Sequence, residues 1–138
     1  MIARGPRTKS TTPTQASAYV SKSEQYLAAA ERELGERLYV PATSLAIHAA
    51  INAADAVCGV RLGKRSGGQN HEEVLGLLAT AGADGMAVAK ELGRLLPLKT
   101  KAEYDPVDLS KTDAGRAVER ARLCVAIARR AVEAAQAR

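Results

Sequence analysis

The stretch from Pro41 to Leu62 is apolar on most sides of a helix, and this constrains the fold more than any other feature. Such a helix must be buried against several neighbours. Elsewhere apolar residues recur at spacings of three and four rather than two, which predicts helices and no strand. Hydrophobic residues make up 46% of the 138-residue chain but aromatics only 3%, so alanine and leucine fill the core. We therefore predict an all-α fold.

Capping signals mark where the first helices begin. Thr12 can cap, Pro13 fits the first helical position and Gln15 completes a capping box. The first helix is predicted to run to about Arg37, and the second from about Pro41 to Leu62.

The second half of the chain contains a broken helix. Asn70 is predicted to cap it, with Glu73 as the capping-box partner. The helix ends near Ala81–Gly82 and restarts at Asp84, and Pro97 is predicted to stop it.

A connector from Leu98 to Leu109 leads to a last helix that starts at Ser110 and runs to near the C-terminus. The prediction is a four-helix up-down bundle with a broken third helix and a longer connector before the last helix. Residues 1–11 are expected to form a disordered basic tail, and residues 12–138 a single domain.

Charge and cysteine usage narrow the classes of function. The net charge of +5 and pI of about 9.5 suit an anionic partner such as RNA, or simply a basic surface. Cys58 and Cys124 lie in apolar runs and are predicted to be buried, reduced thiols, which favours a cytoplasmic location. Without metal-ligand spacing we expect no metal and no cofactor. No run of 18 apolar residues exists, so no membrane association is expected.

Polar residues within the apolar second helix form one stripe. Ser44, His48, Asn52 and Asp55 are spaced 4, 4 and 3 apart, so they lie on the same face. Desolvated polar groups need partners. The stripe therefore faces a functional groove, an interface or a buried hydrogen-bond network, and the sequence leaves these alternatives open.

A short glycine-bearing turn from Arg65 to His71 pairs a permanent cation with an imidazole. Arginine suits forked phosphate contacts, and histidine transfers protons near neutral pH. Cations at this position also complement the C-terminal dipole of the second helix, which is a purely structural explanation.

Three segments together resemble the HEPN domain, an all-helical family found in RNases, toxin–antitoxin modules and partners of nucleotidyltransferases. They are the alanine-rich segment Ser44–Asp55 with its internal polar residues, the Arg65-x5-His71 motif, and Lys101-Ala-Glu-Tyr-Asp-Pro106 before the last helix. The resemblance spans roughly residues 13–135.

The resemblance implies a dimeric, metal-independent RNase, such as a toxin, with Arg65 and His71 as catalytic residues in a shared cleft. It also implies an alternative, since small members with the Tyr-Asp segment often lack nuclease activity. The chain would then be a non-catalytic module that dimerises and binds a nucleotide, RNA or partner protein, such as a nucleotidyltransferase or antitoxin. Six further residues are candidates for substrate binding: Asp55, His48, Asn52, Lys64, Lys99 and Lys101.

Overall fold

The structure, a computed structural model, describes residues 7–68, 70–105 and 108–137. Within these ranges helices dominate, which confirms the all-α prediction. In chain order the elements are β1 (Thr8–Ser10), α1 (Pro13–Gly35), α2 (Tyr39–Leu62), β2 (Lys64–Ser66), α3 (His71–Ala79), α4 (Gly82–Tyr104) and α5 (Lys111–Gln136).

Helix α2 is the centre of the fold, as its composition predicts. It packs most extensively against α1 and α5, and it also contacts α4. Its seven alanines and small residues around them are buried, so the neighbouring helices approach it closely. By length and composition α2 would pass as a membrane span, yet 56% of that apolar window is buried by the fold, as in a core helix.

The predicted helix starts hold to within two residues. Thr12 Oγ1 accepts from the Gln15 N–H at 3.1 Å, and Gln15 Oε1 accepts from the Thr12 N–H at 2.9 Å, which confirms the capping box. Asn70 caps α3 through the Glu72 N–H at 2.9 Å. Glu73 as a box partner is wrong, because the Asn70 side chain accepts from the Glu72 N–H, and among the described residues no hydrogen bond joins the Asn70 N–H to the Glu73 side chain.

The predicted break in the third helix is confirmed, and its cause is local. Gly82 begins α4 with a φ of 75°, which glycine adopts without strain. Three residues later, Gly85 lies against the Leu78 carbonyl of α3: an added Cβ would come within 2.1 Å of that oxygen. The short helix α3 is therefore held closely on α4.

Pro97 does not stop the helix as predicted, because α4 continues through it to Tyr104. A proline inside a helix costs about 3 kcal/mol, since it removes one hydrogen bond and crowds the preceding turn. Apolar packing on both sides offsets this cost: Leu95 is fully buried and Leu98 packs against the core. The connector is accordingly shorter than predicted.

Two short strands form a structure that the helical spacing did not predict. Thr8–Ser10 pairs antiparallel with Lys64–Ser66, and the Thr11 N–H donates to the Gly63 carbonyl at 2.9 Å. Residues 8–10 of the predicted disordered tail are thus ordered, while residues 1–6 lie outside the described ranges. The pairing attaches the start of the chain to the Arg65 turn.

Candidate functional site

The polar stripe of α2 is a half-buried face of that helix. Helices α1 and α4 both pack on α2 but share at most a marginal contact with each other. The side chains of His48, Asn52 and Asp55 are half-buried, a set we call the α2 groove. Asn52 Nδ2 donates to the His48 carbonyl at 2.8 Å, so one of its donors is used within the helix. The half-burial of these side chains argues against a fully buried hydrogen-bond network, so a functional groove or an interface stays the prediction for the stripe.

Arg65 lies at one end of the α2 groove, on β2. Its guanidinium carbon is 5.6 Å from the centroid of the Tyr19 ring on α1, and its Nη1 donates to the Ser66 carbonyl at 3.0 Å. An arginine over an aromatic face is attracted by the ring quadrupole. The guanidinium is therefore held in place, and it is not fully buried.

Asp55 is the carboxylate at this end of the groove. Burial raises its pKa from 3.8 to about 6, although the cations Arg65 and Lys22 act in the opposite direction. Desolvation penalises the charged form more than the two cations favour it. Asp55 is consequently a weak acid that changes charge just below neutral pH, next to a guanidinium that does not.

His71 lies at the other end of the groove as the first residue of α3. Burial is the main cause of its lowered pKa, and the charges of Lys99 and His48 lower it further, while Glu103 opposes them. The lowered pKa favours the neutral imidazole. A neutral histidine can accept a proton, which is the state required of a general base.

The structure brings Arg65 and His71 to the same groove but to different parts of it. The charge of Arg65 lowers the pKa of Asp55, and the charge of His48 lowers the pKa of His71. His48 precedes Asp55 by seven residues on α2. Seven helical residues correspond to about 10 Å along the axis. Among the described interactions, none joins Arg65 directly to His71.

The remaining candidates lie around this groove or beyond it. His48 stacks on Tyr26 with ring centroids 5.4 Å apart. Lys99 pairs with Glu103 at 3.8 Å close to His71, whereas Lys101 points to Asp113 of α5 at 4.0 Å. Lys64 is exposed on β2.

Two members of this constellation were not selected from the sequence. Tyr19 supports Arg65, and Lys22 adds a second cation near Asp55. Both lie on α1, and Tyr19 and Tyr26 are seven residues apart, so they share a helix face. That spacing was visible in the sequence, but it looked like an ordinary packing seam.

The comparison with family models decides the classification. The HEPN domain model matches residues 16–131. The chain belongs to the HEPN domain family. This confirms the resemblance drawn from the motifs, and the matched region includes the α2 groove, Arg65 and His71. None of the curated proteins matches the chain.

The two cysteines of this HEPN domain are not suited to nucleophilic catalysis, and no metal site accompanies them among the described residues. Cys58 and Cys124 are free and buried, as predicted. Burial raises the pKa of each thiol to about 12, so both stay protonated and are poor nucleophiles. Across residues 7–68, 70–105 and 108–137, no group of three or more His, Cys, Asp or Glu side chains could hold a metal ion.

Proposed function

We propose that this HEPN domain is a metal-independent endoribonuclease in which Arg65 and His71 act on the RNA phosphodiester. The observation that supports the proposal is that Arg65 neighbours Asp55 and His71 neighbours His48 on one half-buried polar stripe. One end offers a fixed cation supported by Tyr19. The other offers an imidazole kept neutral by burial and by Lys99.

These two groups suit cleavage by the 2′-hydroxyl of RNA. Neutral His71 takes the proton of that hydroxyl as its oxygen attacks phosphorus. The Arg65 guanidinium offsets the charge that develops on the phosphorane oxygens. The 5′-oxygen leaves and needs a proton, and the product carries a 2′,3′-cyclic phosphate. The imidazolium formed in this step can give its proton to the 5′-oxygen, and the lowered pKa makes it a better donor than an ordinary histidine.

The distance between the two ends favours a shared site. Within one copy, Arg65 and His71 approach α2 about two helical turns apart. A two-fold axis across the groove would place Arg65 of one copy near His71 of the other, and would supply two histidines for the two proton transfers. We therefore propose a homodimer in the cytoplasm, built from a single domain over residues 12–138 with its helical segments in an up-down arrangement.

Product chemistry and assembly test the proposal together. RNA incubated with the protein should give 5′-hydroxyl and 2′,3′-cyclic phosphate ends, and the same sequence with 2′-O-methyl sugars should stay intact. Sedimentation should give twice the monomer mass of 14.5 kDa. Products with 5′-phosphate ends, or cleavage of the 2′-O-methyl strand, would contradict the mechanism. A monomer that cleaves would contradict the shared site.

A second candidate function rests on the engagement of Arg65. Its guanidinium already stacks on Tyr19, donates to the Ser66 carbonyl and neighbours Asp55. An arginine so occupied also fits a non-catalytic module that binds a nucleotide, RNA or a partner such as a nucleotidyltransferase or antitoxin. Binding of RNA without any cleavage would favour this candidate.

A further inference from the structure

We propose that the two-stranded ribbon β1–β2 binds successive phosphates of the RNA strand on the face that carries Arg7, Lys9 and Arg65. The inference deepens the proposed ribonuclease function, since it assigns the track along which the RNA backbone reaches the α2 groove. We call these three side chains the cation face.

The register of the ribbon puts like charges opposite one another. Lys9 pairs with Arg65 across the two strands. Residues directly opposite in an antiparallel pair project to the same side, and like charges there repel each other. Two residue pairs further along, the Gly67 N–H donates to the Arg7 carbonyl at 2.8 Å, so Arg7 continues the same face. An anion bound between the two cations would offset this repulsion.

Glycine leaves room along this face. The Lys9 stem passes the position where a Gly67 side chain would stand, with Cγ 3.0 Å from an added Cβ. A larger residue would force the lysine aside. The absence of a side chain at Gly67 therefore allows the Lys9 stem to lie close over the backbone of this loop.

Ion pairing differs between the cation face and the helical surfaces, although two carboxylates lie near the face: Asp55 beside Arg65, and Glu73, whose Oε2 borders the same Gly68 position as the Arg7 Cβ. On the helices, Arg61 pairs with Asp84, Arg120 with Glu91 and Arg129 with Glu24. In the part of the chain that the structure describes, none of the ion pairs involves Arg7, Lys9 or Arg65. Asp55 faces Arg65, and Lys22 adds a further cation at that point.

These features fit a nucleic-acid backbone better than an acidic protein. Arg7 and Lys9 are alternate residues of one extended segment, so their Cα atoms lie about 6.7 Å apart. Long flexible cations at this interval can follow a chain of regularly spaced phosphates. Tyr19 is already covered by Arg65, so the face offers no free aromatic platform. Binding should therefore be electrostatic and independent of sequence.

Fluorescence anisotropy with a 12-nucleotide 2′-O-methyl RNA tests the proposal, because the probe lacks the hydroxyl needed for cleavage. Arg7→Ala/Lys9→Ala removes two contacts, each contributing a factor of about five at 0.1 M salt. We expect binding about 25-fold weaker, and a salt slope shallower by about 1.4. Lys90→Ala/Arg94→Ala, which removes two exposed cations from α4, is the matched control and should bind like wild type.

Lys9→Glu separates binding from folding. It places a carboxylate opposite Arg65, which should keep or raise the melting temperature while weakening RNA binding at least as much as Lys9→Ala. Equal affinity of the Arg7/Lys9 variant and the α4 control would overturn the proposal, as would the absence of wild-type binding at low salt. If poly-glutamate binds as tightly and with the same dependence on Lys9, the proposal of RNA as the ligand is overturned in favour of an acidic protein.

The ribonuclease mechanism can fail without affecting this test. The 2′-O-methyl strand lacks the attacking hydroxyl, so its affinity for the Arg7→Ala/Lys9→Ala variant is measured without any contribution from cleavage. If His71→Ala cleaves RNA as fast as wild type, the mechanism alone is contradicted. If the Lys9 variants bind the 2′-O-methyl strand as tightly as wild type, the ribbon proposal alone is contradicted.

Discussion

The guanidinium carbon of Arg65 lies 5.6 Å from the centre of the Tyr19 ring, so a residue of α1 positions the cation of the turn from Arg65 to His71. The two residues are 46 positions apart in the sequence, and α2 separates them along the chain. The contact explains how a short turn between α2 and α3 can hold its arginine in one place. It also makes Tyr19 a positioning residue for the proposed reaction.

Replacing Tyr19 by alanine should therefore reduce cleavage without abolishing it. Loss of a cation–π contact costs about 1–2 kcal/mol in a partly desolvated site, which corresponds to a 5- to 30-fold lower kcat/KM. Tyr19→Phe keeps the ring and should stay within about twofold of wild type. Equal rates for Tyr19→Ala and wild type would show that the contact does not position Arg65.

Asp55 should make the stability of the protein depend on pH. Its folded-state pKa of about 6 lies above the ordinary 3.8. The folded protein therefore binds more protons than the unfolded chain between these values, and stability falls as pH rises through the window. Asp55→Asn should lose this dependence. The unfolding free energy of the variant minus that of wild type should therefore be larger at pH 7 than at pH 4, by about 1–2 kcal/mol.

Urea unfolding of Asp55→Asn and wild type at several pH values measures this difference, and other titrating groups cancel because both proteins share them. A difference in unfolding free energy that stays constant from pH 4 to pH 7 would show that Asp55 is not desolvated.

Lys99 should help to keep His71 neutral. Replacing it by methionine removes a charge that lowers the His71 pKa, and leaves Glu103, which raises it. The pKa of His71 should therefore rise. The low-pH limb of the cleavage profile, which reports a base that must be unprotonated, should move to higher pH with it.

Proton NMR can follow this titration directly, because His48 is the one other histidine in the sequence. Lys101→Met is the control: Lys101 faces Asp113 and is not among the groups that shift His71. A His71 pKa that moves equally in both variants, or in neither, would contradict the assigned cause.

The helix starts were predictable because their signals are local. Thr12, Gln15, Asn70 and Ser110 cap through backbone N–H groups two or three residues away, so adjacent sequence contains the whole interaction. The polar stripe of α2 was predictable for the same reason, since its spacing alone defines a face.

The ribbon and the continuation of α4 depend on contacts far apart in the sequence. Lys9 pairs with Arg65, and a three-residue strand has too little periodicity to be recognised alone. Pro97 is a reliable local stop signal, but the burial of Leu95 and the packing of Leu98 outweigh it. How Arg65 and His71 are placed along the groove depends on tertiary packing in the same way.

Two glycines should respond in opposite directions to alanine substitution. Gly85→Ala would place a methyl group 2.1 Å from the Leu78 carbonyl, so α3 must shift on α4, at a cost of about 1–3 kcal/mol. Gly76→Ala, where nothing lies within 4 Å, should stabilise the protein by about 0.5–1 kcal/mol through helix propensity.

Thermal or urea unfolding of the two glycine variants measures this contrast. Because α3 carries His71 at its first residue, Gly85→Ala should also reduce cleavage at temperatures where it is still folded. A Gly85→Ala variant as stable as Gly76→Ala would contradict the close packing of α3 on α4.

RNA cleavage in EDTA under single-turnover conditions tests the central claim most directly, with Arg65→Ala and His71→Ala compared against Lys90→Ala/Arg94→Ala. We predict that wild type and the control cleave at similar rates, and that each site variant is slower by about 100-fold or more. Cleavage by both site variants at the wild-type rate would contradict the account.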